Sequence, residues 1–169
     1  MLQKSSLTLS DGTKLDDLII RESNEVSLRV MSDKELYDIE MERVFAKTWL
    51  LLAHDTEIPN SGDFVVRDMA EDNVIIARDR EGNVNVSLNV CPHRASRIVR
   101  EAEGKASRFT CRFHGWTFGN DGEALGIPEE FHFCGAIDDQ KHLHALPAEE
   151  RHGLVFIRIV PGSSLDLDA

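Results

Sequence analysis

Long apolar runs and cysteines are scarce in this sequence, and basic residues are outnumbered by acidic ones, 19 to 30. The apolar stretches, such as TWLLLA and LVFIRIV, have the length of a strand and fall far short of a bilayer span. Three cysteines among 169 residues cannot form a disulfide framework, so they are better suited to be metal ligands or buried thiols in a reducing compartment. A net charge of −11 argues against non-specific binding of nucleic acid or an anionic membrane. We therefore expect a cytoplasmic protein with neither nucleic acid nor membrane as a partner.

Short alternating segments fill much of the chain and predict β-strands. TWLLLA is typical of a buried strand, and FVVR, NVIIAR, VNVSLNV and GLVFIRIV follow with strand-like apolar residues. Gly82, between Glu81 and Asn83, marks one hairpin turn, and Asn120-Asp121-Gly122 marks another. The sequence thus predicts a mostly β fold, a small antiparallel sandwich or barrel.

One helix is expected ahead of these strands, at residues 32–45. Ser32 and Glu35 have the spacing of a capping box. Four apolar residues are predicted to share one helix face, namely Tyr37, Met41, Val44 and Phe45.

Two cysteine–histidine pairs are the strongest chemical signal. Cys91 and His93 stand in CPHR, and Cys111 and His114 stand in CRFHGWTF. Thiolates bind zinc, copper(I) and iron–sulfur clusters, whereas imidazole suits zinc and iron. Two interpretations compete: a structural zinc site with four ligands on one ion, and a Rieske cluster, in which two cysteines hold one iron and two histidines the other. The single residue between Cys91 and His93 is tight for one tetrahedral ion and comfortable for two irons.

The motif resembles that of the large (alpha) subunits of aromatic-ring-hydroxylating dioxygenases. The segment ELYDIEMERVFAKTWLLLAHDTEIPNSGDFVV is similar to their helix-then-strand lead-in, and HGLVFIRIVPG is similar to the strand after their cluster. The resemblance implies a Rieske-type [2Fe–2S] cluster. By position, Cys91 and Cys111 would ligate one iron and His93 and His114 the other.

Three segments follow from this resemblance. Residues 1–30 would be an N-terminal arm, residues 31–162 a Rieske domain whose cluster-binding part spans about 88–127, and residues 163–169 a tail toward a catalytic domain. The large subunits usually carry a mononuclear iron on an Asp-x2-His-x4-His run, which this sequence lacks. We therefore leave open whether the chain is an enzyme by itself, and expect an N-terminal domain, a free-standing protein or half of a split enzyme.

The implied function is one-electron transfer within an oxidoreductase. In the family, electrons pass from a ferredoxin or flavin reductase to the cluster, and then to the mononuclear iron of a catalytic oxygenase domain or neighbouring subunit. Two alternatives stand beside it: a free-standing, ferredoxin-like Rieske carrier and a zinc-stabilised interaction module.

Several residues near the motif bear on the reduction potential. Two ferric ions, two sulfides, two thiolates and two neutral imidazoles sum to zero charge, so an added electron meets less repulsion than in an all-cysteine cluster. Rieske potentials span roughly −150 to +300 mV. Respiratory Rieske proteins carry disulfide cysteines where this chain has Ser96 and Phe113, and a hydroxyl where it has Trp116. Fewer donors to sulfur predict the low end of that range.

Basic residues gather around the motif although the chain is acidic. Residues 94–112 contain five arginines and one lysine against two glutamates, a local net charge of +4 that leaves −15 for the rest. This basic rim could dock an acidic electron donor, or its cations could pair locally.

Four further positions carry weaker expectations. The family often has glycine where this chain has Ala95, which places a methyl group near the cluster. Cys134 is expected to be a small buried thiol. His142 and His144 are expected to be solvated loop residues rather than ligands of an iron site.

Overall fold

The computed structural model describes residues 6–160 together with Gly162 and Leu165. By contacts the chain divides into two compact units, Met1–Ala46 and Lys47–Ala169. The domain boundary after residue 30 stays a prediction, and the predicted tail at 163–169 lies outside the described residues except for Leu165. None of the described helices is long and apolar enough to cross a bilayer.

The first unit consists of short elements around a small apolar core. Its 3-10 turns span Leu15–Leu18 and Leu28–Met31, and its strands and helix are β1 (Ile19–Ile20), β2 (Glu25–Val26) and α1 (Lys34–Glu40). Leu9, Leu18 and Leu36 form the core. Residues 6–30, expected as an arm, therefore contribute to a packed unit.

The predicted capping box is wrong by one residue. The N-cap of α1 is Asp33, whose carboxylate accepts hydrogen bonds from the backbone N–H groups of Glu35 (2.9 Å) and Leu36 (3.2 Å). Ser32 instead ends the preceding 3-10 turn. The Glu35 carboxylate accepts hydrogen bonds from the backbone and hydroxyl of Ser10, which leaves it no role at the helix start.

The predicted apolar face is also wrong. Leu36 is the buried residue of α1, whereas Tyr37, Val44 and Phe45 are exposed by 41%, 50% and 39%. The helix has only seven residues and then widens into a π-helical turn at Met41–Phe45. Because a π turn rotates side chains away from the 3.6-residue repeat, positions 37 to 45 do not line one face.

The second unit is built from three antiparallel sheets. The largest has the order β6-β5-β4-β7, the second β11-β12-β3 and the third β10-β9-β8. The strand bounds are β3 (Leu50–His54), β4 (Asp63–Met69), β5 (Asp72–Arg78), β6 (Val84–Leu88), β7 (Glu103–Lys105), β8 (Arg108–Thr110), β9 (Thr117–Gly119), β10 (Ala124–Gly126), β11 (Ala148–Arg151) and β12 (Leu154–Ile157).

The largest sheet is covered on both faces, which explains the nearly continuous apolar runs of its central strands. Val65 and Ile76 point into a core shared with the β11-β12-β3 sheet. Phe64 and Ile75 point to the opposite face, into a core with Phe109 and the two cysteine loops. Because successive side chains of a strand face opposite sides, one strand can support both cores.

The mostly β, antiparallel fold with one helix is confirmed. A sandwich forms where the two larger sheets share a core, and no sheet closes into a barrel within the described part of the chain. The interpretation of TWLLLA as a buried strand is only partly right: β3 is an edge strand, and its Leu51 is 54% exposed. Both predicted hairpin turns are present, with Gly82 and Gly122 at φ of +88° and +86°.

Candidate metal centre

Two loops of matching backbone geometry carry the cysteine–histidine pairs. The first loop, residues 89–99, follows β6, and the second loop, residues 111–116, joins β8 to β9. In the first loop the Cys91 N–H donates to the Ser96 carbonyl at 2.9 Å, and in the second the Cys111 N–H donates to the Trp116 carbonyl at 2.8 Å. Each cysteine is thus fixed by the carbonyl five residues further along the chain.

The fourth residue after each cysteine adopts a left-handed conformation. Ala95 has φ of +54° and Gly115 has φ of +74°. Their N–H groups donate to the carbonyls of Cys91 (2.9 Å) and Cys111 (3.0 Å). The backbone therefore imposes a positive φ at both positions, and only the second loop has the glycine that adopts it without strain.

Asn89 holds the first loop and was not singled out by the sequence. Its side chain is 1% exposed, accepts hydrogen bonds from the N–H groups of Ile98 (3.1 Å) and Val99 (2.9 Å), and donates to the Val99 carbonyl (2.7 Å). A further bond runs to the Asn73 side chain at 2.7 Å. The sequence signal that could have identified Asn89 is its position: it is a polar residue directly after a strand pattern and two positions before a cysteine.

The two cysteine sulfurs lie side by side. Both residues are 2% exposed and both thiols are free, and each thiol is near enough to shift the pKa of the other. Burial raises the pKa of Cys91. Burial also acts to raise the pKa of Cys111, but hydrogen bonds from the N–H groups of Phe113 and His114, and others to its sulfur, hold that pKa below its ordinary value.

Backbone donors also surround the first sulfur. The N–H groups of His93 and Arg94 hydrogen-bond to Cys91, as those of Phe113 and His114 do to Cys111. Such donors stabilise the thiolate, and the thiolate is the form of cysteine that binds metal.

The two imidazoles form a second pair. The ring centroids of His93 and His114 are 4.5 Å apart, with the planes at 62°. Nδ1 of His93 is buried and has no hydrogen-bond partner in the described structure. Burial, followed by the neighbouring His114 and Arg94, lowers the pKa of His93. A lowered pKa favours the neutral imidazole, and a neutral imidazole with an unpartnered nitrogen has the form that a metal ligand requires.

Aromatic side chains enclose the histidine pair. Trp116 stacks on His93 with ring centroids 5.0 Å apart and planes at 4°, and the edge of Phe133 meets both rings. The ring centroids of Phe113 and His114 are 3.9 Å apart, and Phe113 is 60% exposed. The enclosure is thus closed on the Trp116 side and open beside His114.

These residues fit a two-iron group better than a single ion. Among the described residues, no three or more His, Cys, Asp or Glu side chains are grouped so that they could hold one metal ion. A structural zinc ion needs four such ligands around one point. The four side chains instead separate into a sulfur pair and an imidazole pair, which is the division that a Rieske cluster uses.

The weaker candidates stay apart from this site. Cys134 was expected to be buried and is exposed, with φ of +50°, because it ends the 3-10 turn at Glu130–Phe133. His142 and His144 are exposed, as expected, and line a cavity of about 420 Å³ with Asp139. The ring of His142 accepts a hydrogen bond from the Ala124 N–H at 3.1 Å.

The basic rim is only partly neutralised. Arg112 pairs with Glu101 at 2.9 Å, and Lys105 lies 3.8 Å from Asp63. The remaining four are exposed and form no ion pair with a described residue: Arg94, Arg97, Arg100 and Arg108. A net positive surface therefore surrounds the cysteine–histidine loops.

Comparison with known proteins places these observations in a family. The model of the Rieske [2Fe–2S] domain matches residues 48–137. The alpha subunit of an N,N-dimethyl phenylurea N-demethylase from Sphingobium sp. (strain YBL2) is 37% identical over 88% of the chain. The alpha subunit of benzene 1,2-dioxygenase from Pseudomonas putida is 35% identical over 92% of the chain. The chain spans about a third of these relatives, 34% and 35% of their lengths.

Solved structures give the same result. Naphthalene 1,2-dioxygenase from Rhodococcus sp. bound to indole superposes with a TM-score of 0.75 and 36% identity, over 82% of this chain and 32% of that one.

Proposed function

Since this chain belongs to the Rieske [2Fe–2S] domain family, we propose that it transfers single electrons to the mononuclear iron of a ring-hydroxylating oxygenase. Its cofactor is a Rieske-type [2Fe–2S] cluster. The single observation that carries the proposal is the separation of the ligand set into two buried, adjacent thiols and two adjacent imidazoles.

We assign Cys91 and Cys111 to one iron and His93 and His114 to the other. When bound, the cluster supplies a one-electron redox couple. The chain holds the ligands on two loops of the same geometry, and the backbone N–H groups stabilise charge on the sulfurs. Trp116 and Phe133 exclude water from the His93 side.

Electron exchange is proposed on the open side of the enclosure. His114 is half-buried and lies beside the exposed ring of Phe113. The basic rim would attract an acidic ferredoxin or flavin reductase as the electron donor. The acceptor would be a catalytic oxygenase domain or neighbouring subunit, and a cytoplasmic location remains our prediction.

Metal and sulfide analysis of the purified chain tests this proposal. We expect two irons and two acid-labile sulfides per chain, no zinc, and a visible spectrum that bleaches with dithionite. Cys111→Ser should lose the iron and sulfide, because a hydroxyl replaces a ligand thiolate.

Cys134→Ser is the matched control, since that thiol is exposed and outside the ligand set. It should retain full iron and sulfide content. One zinc per chain without sulfide would overturn the proposal in favour of a zinc-stabilised module.

A further inference from the structure

A largely exposed segment, residues 128–142, lies over the cysteine–histidine loops and is called the strap below. It connects two buried residues, Ile127 and Leu143. Its partly buried side chains recur every four residues, at Phe133, Ile137 and Lys141. The two apolar ones pack against the core that contains both cysteines. The strap is therefore attached to that core through a few side chains.

The strap reaches both loops. Near its start Pro128 lies against Gly115 of the second loop, where a Cβ atom would be 3.3 Å from the Pro128 Cγ. Further along, the ring of Phe133 meets the ring of His93 in the first loop, with centroids 6.3 Å apart and planes at 90°. The last residues of the strap line the cavity of about 420 Å³ together with residues of the first loop. The strap thus crosses the His93 side of the ligand set.

The turn that carries Phe133 lies between two left-handed residues. Glu129 has φ of +56° and Cys134 has φ of +50°. A side chain makes this conformation costly, so it persists only where other contacts favour it. The backbone hydrogen bonds of the turn are local, as from the His132 N–H to the Glu129 carbonyl at 2.9 Å. Side-chain contacts must therefore hold the turn against the loops.

One cation joins the two ends of the strap. Nζ of Lys141 lies 3.0 Å from the carboxylate of Glu130 and 3.6 Å from that of Asp138. Glu130 begins the 3-10 turn that ends at Phe133. The ion pair between Lys141 and Glu130 therefore fixes this turn from the far end of the strap.

We propose that the strap is a cover that keeps water from the His93 side of the cluster, and that Lys141 is a positioning residue that holds Phe133 in place through Glu130. The inference rests on the proposed function, because it requires the two loops to bind the cluster. Gain of one electron takes the cluster from neutral to a net charge of −1, and water stabilises that charge. A closed strap therefore lowers the reduction potential and slows the access of chelators to the irons.

Two phenylalanines of the same turn provide a matched test of the cover. Phe131 is 74% exposed and its ring lies against His132, whereas the ring of Phe133 lies against His93. Phe133→Ala and Phe131→Ala each delete one ring. Iron and sulfide content are recorded first, then the midpoint potential, and then the rate at which bipyridine, an uncharged iron chelator, removes iron from the reduced protein.

We expect Phe133→Ala to lose iron about threefold to tenfold faster than wild type, because local opening becomes easier. It should also accept the electron about threefold more favourably, a rise in midpoint potential of roughly 28 mV at 59 mV per tenfold. Phe131→Ala should match the wild type in both measurements. Equal rates for the two variants, with clusters present in both, would overturn the cover and leave the proposed function intact.

Three lysine variants test the positioning role. Lys141→Met removes the charge and keeps an apolar chain, and we expect iron loss about twofold to fivefold faster, as for the loss of one partly exposed ion pair. Lys141→Arg retains the cation and should restore the wild-type rate. Lys105→Met is the control, because Lys105 also lies near a carboxylate, 3.8 Å from Asp63, but outside the strap.

The lysine variants alter the surface, so they decide the question even if Phe133→Ala does not retain its cluster. A rate for Lys141→Met equal to that of wild type, or equal to that of Lys105→Met, would overturn the role of Lys141. If the wild-type chain binds no cluster, the proposed function fails and the inference fails with it.

Discussion

Backbone N–H groups supply four of the hydrogen bonds to the cysteine sulfurs, so the conformation of single residues in the two loops matters. His93 and Arg94 donate in the first loop, and Phe113 and His114 in the second. These donors point at sulfur because each loop turns back at a residue of positive φ. The residue at this turn therefore affects the stability of the protein without being a metal ligand.

Ala95→Gly should stabilise the protein. Ala95 is exposed and has φ of +54°, a conformation that a side chain makes costly and glycine adopts freely. The relief of strain exceeds the extra entropy of glycine in the unfolded chain, and we expect a net gain of about 0.5 kcal/mol. Urea denaturation, monitored by circular dichroism, measures this gain in the free energy of unfolding.

Ala145→Gly is the control for this substitution. Ala145 is also exposed but has no positive φ, so glycine there should lower the free energy of unfolding by about 0.5 kcal/mol. A loss of stability at position 95 equal to that at position 145 would show that the left-handed turn is not strained.

At the scale of the element, the start of α1 depends on one arginine between two carboxylates. Arg29 lies 2.7 Å from Asp11 and 2.6 Å from Asp33, the N-cap of the helix. Hydrogen bonds from the Thr13 N–H, and then from Arg29, lower the pKa of Asp11 from 3.8 to about 2. A carboxylate with a depressed pKa stabilises the folded unit above its ordinary pKa, and this contribution is lost as the pH falls through about 2.

Arg29→Met should therefore raise the pKa of Asp11, measured by nuclear magnetic resonance titration of its carboxyl carbon. The pKa should remain below 3.8, because the Thr13 N–H still donates at 2.9 Å. Lys34→Met is the control, since Lys34 pairs with Asp38 instead. An Asp11 pKa that does not change in Arg29→Met would contradict the assigned role of Arg29.

Elements of different kinds were unequally predictable from the sequence. The strands β4, β5 and β6 follow from apolar patterns and glycine turns, which are local. The start of α1 was misplaced because Ser32 and Asp33 are both good N-cap residues. The salt bridge between Arg29 and Asp33 accompanies the choice of Asp33, and the sequence pattern does not reveal it. The four proposed ligands stand out because few other functions need that combination of side chains.

The residues that support the ligands were harder to find. Asn89 acts through backbone groups nine and ten positions later. These contacts depend on how the first loop folds, which no local pattern specifies. The exposure of Cys134 has the same origin, since it follows from the turn that brings Phe133 to His93.

At the scale of the whole molecule, charge is distributed unevenly. Residues 94–112 carry a net charge of +4 within a chain of −11. The local pairs of Arg112 and Lys105 neutralise only part of it. The basic rim is therefore a surface feature and not a set of internal ion pairs.

Arg100→Glu should slow reduction by a ferredoxin with an acidic surface. Reversal of one exposed charge in the rim weakens electrostatic steering, so we expect a rate about threefold to tenfold lower at low salt and a flatter dependence on ionic strength. Stopped-flow absorbance measures both.

Arg80→Glu is the matched control, because Arg80 is exposed and lies in the hairpin between β5 and β6. It makes the same change in net charge outside the rim and should alter the rate much less. Equal rates for the two variants would show that overall charge, and not the basic rim, governs the encounter.

In the proposed cluster the two irons have different ligands, cysteine sulfur on one and imidazole on the other. Mössbauer spectroscopy of the oxidised protein, reconstituted with isotopically enriched iron, distinguishes the two sites. We expect two quadrupole doublets of equal area, one from an all-sulfur site and one from a site with nitrogen ligands. A single doublet from two equivalent irons would show that the ligands are not divided in this way.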